Sequence, residues 1–264
     1  MRQLATFLAL GIALSVGVVP APAAPLSRPA GQPDDVYRVL QMNLCLSGTA
    51  GCYARTAYPS VVDEAAEQIL KHDAQAVTLN EACSGDAADL ARRTGYQMRF
   101  TAVLFHGASL PCVEPGRRGV FGLAVLTKSP INAWHGQAFA TQAGAEERRW
   151  ICVTSDRPVT VCTAHLGTRG SAEVRRVNDG ECAELQGVLA RYDKIATTVF
   201  GGDLNRREPC APATMWAEED TAATQLPGIQ HIYGSDSLKR PSGDVQPATY
   251  TDHDFFTTAG TLRD

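Results

Sequence analysis

Beyond residue 23 the sequence has no apolar run long enough to span a bilayer, no repeat, no low-complexity block and no dense stripe of lysine or arginine. The first absence excludes a transmembrane helix from the body of the chain. With no repeat and no second linker, one domain is expected. The missing basic stripe speaks against holding nucleic acid mainly through phosphate charge. Arg117-Arg118, Arg148-Arg149, Arg175-Arg176 and Arg206-Arg207 are scattered pairs, and 24 basic residues stand against 28 acidic ones, a formal net charge of −4. Cys-x-x-Cys is also missing, and the cysteine spacings match no zinc cluster.

What is present begins with a segment to set aside. Arg2, the apolar stretch Leu4 to Val19 and the small-residue signal Ala21-Pro22-Ala23 have the form of a secretory signal peptide over residues 1–23. Residues 24–34, rich in Pro, Ala and Gly, read as a flexible leader. Residues 35–264 read as one domain, long enough to bury a substantial core. The expected product is a secreted monomer. All eight cysteines lie in that domain, and an even number behind a signal peptide points to disulfides. Arg149 to Thr154 and Val159 to Ala164 read as a hairpin around Ser155-Asp156-Arg157-Pro158, a register that sets Cys152 opposite Cys162. Cys45–Cys52 would close a short loop, and Cys83–Cys112 with Cys182–Cys210 complete the set.

The apolar spacing alternates between strands and helices. Val36–Leu44, Ala74–Asn80, Tyr96–Phe105, Val120–Thr127, Ile131–Phe139, Arg149–Thr154, Val159–Leu166, Ala196–Phe200, Ile229–Tyr233 and Thr249–Phe256 read as strands. Pro59–His72 carries Val61, Val62, Ala65, Ala66, Ile69 and Leu70 on one helical face. Ala87–Arg93 is a short helix, and Glu181–Tyr192 a longer one with Gly180 as a break before it. The mixture implies α/β layering. Polar residues recur where strands end: Asn43, Glu81, His165, Asp203 with Asn205, and Asp252 with His253.

Those residue types suit phosphoester hydrolysis. Asn43, Glu81 and Asp252 offer hard oxygen ligands for Mg²⁺ or Ca²⁺. Asp203 can orient or deprotonate a water, and Asn205 offers an amide to a phosphoryl oxygen. His165 and His253 are the acid–base and oxyanion-stabilising candidates. A bound cation would supply the positive charge that the surface lacks.

The set, in its order, resembles the endonuclease/exonuclease/phosphatase superfamily. The motifs are Gln41-Met42-Asn43-Leu44, Leu79-Asn80-Glu81, Gly122 to Thr127 with Pro130-Ile131, Thr163-Ala164-His165-Leu166, Gly201-Gly202-Asp203-Leu204-Asn205 and Thr251-Asp252-His253. The resemblance implies an α/β fold, a four-layer sandwich with two packed mixed or antiparallel sheets flanked by helices. It implies a divalent cation, usually Mg²⁺ with Ca²⁺ or Mn²⁺ as alternatives, held by Asn43 and Glu81 with Asp252 at its side. It makes His165, Asp203, Asn205 and His253 catalytic.

Two departures from the family pattern stand out. Gln230 occupies the position where the family usually places an aspartate that orients the last histidine, so His253 is expected to have weakened cationic character, and Gln230→Asp to raise activity or the pH optimum. No acidic residue lies between Gln97 and Leu110 to serve as partner of His165. The expected substrate is a phosphodiester in nucleic acid, with a phospholipid or inositol-phosphate headgroup as the alternative. A catalytically weak module that binds a phospho-ligand or a protein partner is the reading of a different class. Arg117 or Arg118 reads either as a phosphate contact or as a solvated loop residue, and Trp134, Trp150 and Trp216 are expected in the core or at a rim.

Overall fold

A computed structural model describes residues 36–262, the side chains of 240–242 aside. The expected signal peptide and leader lie outside the described residues. The first sheet contains β1 (Val36–Asn43), β2 (Ala76–Cys83), β3 (Gln97–Ala102), β6 (Phe121–Thr127), β13 (Leu238–Gln246) and β14 (Phe255–Leu262), in the order β13-β14-β1-β2-β6-β3. The second contains β7 (Ile131–Ala138), β8 (Arg149–Ser155), β9 (Val159–Ala164), β10 (Thr197–Asp203), β11 (Met215–Glu219) and β12 (Gln230–Ser235), in the order β11-β12-β10-β9-β8-β7. β4 (Leu104–Phe105) and β5 (Ala108–Ser109) form a small ribbon. β1 with β2, and β9 with β10, pair in parallel; the other pairs are antiparallel.

The helices α1 (Ser60–His72), α2 (Ser84–Thr94) and α3 (Ala172–Asp193) are amphipathic, and their apolar faces meet the sheets. Val61, Val62, Ala65, Ala66 and Ile69 of α1 bury against Leu40, Met42, Val77 and Leu79. α1 ends in the left-handed residue Asp73 and α2 in Gly95, as helix C-termini commonly do. α3 starts at Ser171, whose hydroxyl accepts the Val174 N–H, and buries Leu185, Val188 and Leu189 against Phe200 and Tyr233 of the second sheet. A third apolar cluster joins the two sheets through Val39, Leu123, Val125, Ile151, Val161 and Val199.

The α/β class with two mixed sheets is as expected, and three local readings need correction. α3 runs through Gly180 without a break. β11 and β13 were not anticipated. The strand expected over 249–256 begins only at Phe255, so Asp252 and His253 sit on the loop that enters β14. All four disulfides form in the expected pairs, and no described cysteine is free. Among the described residues no helix is long and apolar enough to cross a membrane.

The space between the sheets changes character along the strands, and this places the site. On β1, Tyr37 and Val39 join the inter-sheet core, and the next residues on that face are Gln41 and Asn43. β2 passes from Ala76 to Thr78 and Asn80, β9 from Val161 to Thr163, and β10 from Val199 to Gly201 and Asp203. Apolar packing thus fills one end and buried polar side chains the other.

Candidate active site

The polar end is tied together by hydrogen bonds between strands. Asn80 is the hub. Its Oδ1 accepts from the Asp203 backbone N–H at 2.7 Å and from Gln41 Nε2 at 2.8 Å, while its Nδ2 donates to Thr163 Oγ1 and the Ala164 carbonyl, each at 3.2 Å. Thr78 Oγ1 donates to Gln41 Oε1 at 2.6 Å. A Cβ on Gly201 would stand 2.3 Å from Thr78 Oγ1, so a glycine is needed where the sheets approach at this level. Buried polar groups satisfied in this way hold β1, β2, β9 and β10 in one register.

Above the network opens a cleft of about 540 Å³, lined among others by Glu81, His165, Asp203, Asn205, Asp252 and His253. Two of these positions have a left-handed backbone, Glu81 with φ 51° and Asn205 with φ 51°. That conformation is costly for glutamate and tolerable for asparagine. At Glu81 it coincides with the irregular register between β2 and β6, so the side chain leaves the strand's normal alternation.

All seven expected residues are joined by direct contacts. Asn43 Nδ2 donates to Glu81 Oε1 at 3.1 Å and to Asp203 Oδ2 at 2.9 Å. Asp203 Oδ1 accepts the Asn205 N–H at 2.9 Å. His253 Nε2 stands 3.1 Å from Asp203 Oδ2 as an ion-pair contact off the line of a hydrogen bond, and its Nδ1 lies 3.0 Å from Asp252 Oδ1. His165, the seventh, has Nε2 3.7 Å from Glu81, 3.9 Å from Asp203 and 3.1 Å from Asn205 Nδ2.

These contacts set opposite charges on the two histidines. Burial alone would lower His253, but Asp203 and Asp252 outweigh it and raise the ring to about 10. Burial lowers His165, and the Arg148 guanidinium, 2.9 Å from Nδ1, lowers it further, to about 3. Arg148 can only donate, so Nδ1 accepts and the neutral ring carries its single proton on Nε2; a second proton on Nδ1 would break that bond. Burial pushes Asp203 up, yet His253 and the Asn205 N–H hold it well below the usual carboxylate range. Burial raises Glu81 to about 7 despite the Asn43 amide.

The Gln230 expectation is overturned. Its Nε2 donates to the Asp254 carbonyl at 2.6 Å and to Asp220 Oδ2 at 3.2 Å, and its Oε1 faces Gln41 Nε2 at 3.4 Å. The amide is consumed behind the site, while Asp252 holds the His253 ring. His253 is therefore strengthened as a cation, not weakened. Arg118 is also no substrate contact: it is buried, pairing with Asp86 at 2.6 Å and lying over Tyr58. Trp150 and Trp216 are buried, and Trp134 is exposed.

Sequence reasoning gave no role in the site to Arg148, Asn80 or Arg55. Arg55, in the short 3₁₀ segment Gly51–Arg55, pairs with Asp252 Oδ2 at 2.7 Å. For Arg148 a signal existed. The hairpin register that sets Cys152 opposite Cys162 continues to Trp150 opposite Ala164, which brings the Arg148-Arg149 pair level with His165. The residues present suit a hard cation. Glu81 is a part-buried carboxylate lacking a cationic partner at hydrogen-bond distance, with Asn43 beside it, whereas Asp252 is already neutralised by Arg55 and His253.

The model of a family described as Endonuclease/Exonuclease/phosphatase family matches residues 50–258. No curated protein matches the sequence. Among solved structures, an endonuclease/exonuclease/phosphatase from Beutenbergia cavernae DSM 12333 is similar with TM-score 0.64 and 19% identity, covering 87% of this chain and 72% of that one. The human Nocturnin catalytic domain with bound sulfate anion gives TM-score 0.63 and 16% identity over 86% of this chain and 94% of that one. D. rerio TDP2 complexed with single strand DNA product gives TM-score 0.59 and 13% identity over 87% and 100%. At these identities the likeness is one of fold.

Proposed function

Because this chain belongs to the endonuclease/exonuclease/phosphatase family, whose members hydrolyse phosphoester bonds, we propose that it is a secreted, divalent-metal-dependent phosphodiesterase of nuclease type. The observation that carries the reading is the meeting of Glu81, Asp203, Asn205, His165 and His253 around one cleft, with a buried anion–cation pair between Asp203 and His253. Glu81 and Asn43 would hold the cation, Mg²⁺ first, with Asp252 at its flank; when bound, it neutralises phosphoryl charge.

The chain's own residues then divide the remaining work. Asp203, held ionised, orients the attacking water through a carboxylate oxygen. The Asn205 amide donates to a non-bridging phosphoryl oxygen. His253, held as imidazolium by Asp203 and Asp252, offsets charge that builds up in the transition state. His165, held neutral by Arg148, acts as a hydrogen-bonding group at the phosphoryl oxygens. The Gln230 feature that favoured a catalytically weak module lends it no support, since Gln230 does not touch His253. Secretion is supported by four disulfides in a chain whose first 23 residues have signal-peptide form.

The test is one assay series in Mg²⁺, Ca²⁺, Mn²⁺ or chelator, on plasmid DNA, RNA, sphingomyelin, inositol phosphates and bis(p-nitrophenyl) phosphate. Metal-dependent cleavage of the diesters, nucleic acid included, is expected. Turnover that persists in chelator, or none on any diester, sinks the reading; cleavage of sphingomyelin or inositol phosphates alone moves the substrate to a headgroup.

A further inference from the structure

Beside the cleft lies a second pocket of about 280 Å³ that shares Phe105, Glu146, Arg148 and Thr168 with it. We propose that this pocket binds a guanine base adjacent to the scissile phosphate, with Glu181 reading its N–H edge. The proposal rests on the phosphodiesterase reading above and extends it to the substrate.

Glu181 comes from α3 and is fully buried at the pocket wall. Its Oε2 accepts the Gly167 N–H at 2.7 Å, but its Oε1 is a buried acceptor with no partner. Such an oxygen is expensive to leave unpaired, and a ligand N–H would satisfy it. Gly167 lets the backbone pack close against the carboxylate: a Cβ there would stand 3.3 Å from Oε2 and 3.5 Å from Oε1. Two more charged groups face the same space, Arg148 and Glu146, themselves paired at 3.2 Å.

Two carboxylates and one guanidinium ask for a ligand edge with two donors and one acceptor. Guanine presents N1–H, N2–H₂ and O6. Adenine, cytosine, uracil and thymine each present a single donor group on that edge, so guanine alone matches the set. Phe105, 41% exposed, stands on the border between pocket and cleft, where a base can stack. Val174 and Val177 complete an apolar wall.

The experiment is calorimetric titration of the intact protein with GMP, AMP, CMP and TMP in the presence of chelator, so that no metal contributes. GMP should bind at least about tenfold more tightly than the others. Glu181→Gln retains one oxygen for the Gly167 N–H and puts an NH₂ donor where the acceptor was. It should bring GMP down to the level of the other nucleotides, with a melting curve establishing that the variant is folded. Phe105→Ala should weaken all four nucleotides by a similar factor, about tenfold. Equal affinities in the wild type, no binding, or a guanine preference that survives in Glu181→Gln overturns the proposal. Hydrolysis of bis(p-nitrophenyl) phosphate by the metal-loaded wild type tests the reaction separately. Turnover without guanine preference removes the base pocket and spares the phosphodiesterase reading; guanine preference without turnover does the reverse.

Discussion

The two sides of the cleft carry the same residue type at almost the same burial, and they differ in charge. His253 is 5% exposed and His165 is 6% exposed. One is lifted to about 10 and the other depressed to about 3. Burial pushes both rings the same way, and the neighbours differ: two carboxylates overcome it on the His253 side, and an arginine adds to it on the His165 side. Placing an imidazolium and a neutral imidazole across one carboxylate lets a single cleft offer a fixed positive charge and a polar group that stays uncharged.

Removing what the two sides share should have the largest effect. Asp203→Ala takes away the carboxylate between the histidines, and diester hydrolysis should fall by about 10²- to 10⁴-fold; a loss of less than tenfold in steady-state rate would show that the shared anion is not needed. Next comes Gln230→Asp, behind the His253 side. It would set a carboxylate against the Asp254 carbonyl and Asp220, so stability should drop by about 3 kcal/mol or more in chemical denaturation. An active variant of undiminished stability would restore Gln230 as the partner of His253.

Behind the His165 side, Glu181 gives a pH signature. Burial, the largest cause, raises it to about 7 against an ordinary value of 4.5. The folded state therefore binds its proton more tightly than the unfolded state does. That contribution to stability is fully present below about pH 4.5 and is lost as pH rises to about 7. Glu181→Gln cannot ionise, so it should exceed the wild type by about 2–3 kcal/mol at pH 8, with the gap shrinking toward pH 4.5. A gap that does not change with pH in paired melts contradicts this.

Arg148→Met should narrow the contrast at its source. With the guanidinium gone, the His165 ring should titrate at higher pH in proton NMR of the chelated protein, while His253 moves far less. The smallest effect belongs to Arg55→Ala. Arg55 is 58% exposed in its side chain, so loss of its pair with Asp252 should cost under about 1 kcal/mol by denaturation.

Much of this was legible in the sequence because the strands carry it locally. A short apolar run that ends in a polar residue reads as a buried strand leading to a site, and β1, β2 and β10 are of that kind. Cysteine pairing followed from hairpin register at Cys152–Cys162. The errors arise where a partner comes from far along the chain. Gly180 looked like a helix break, yet it sits inside α3 because a Cβ would meet Thr141 Oγ1 at 3.0 Å; the glycine serves close packing. β13 is a polar strand at the sheet edge, without the alternation that marks a half-buried strand. Gln230 was given to His253 by its place in a motif, but its amide hydrogen bonds are made with Gln41, Asp220 and Asp254. No local signal links Arg55 to Asp252, 197 positions away.

The left-handed backbone at Glu81 and Asn205 bears on how the protein can vary. At 205 the conformation admits Gly, Asn and Asp with little strain, and only the last two keep a polar side chain in the cleft. At 81 replacement by Gly, Asn or Asp relieves strain, so selection for folding alone would drive the glutamate out. In a library sorted first for thermal resistance and then for turnover, position 81 should drift to glycine in the first sort and return to glutamate in the second. Position 205 should stay narrow in both.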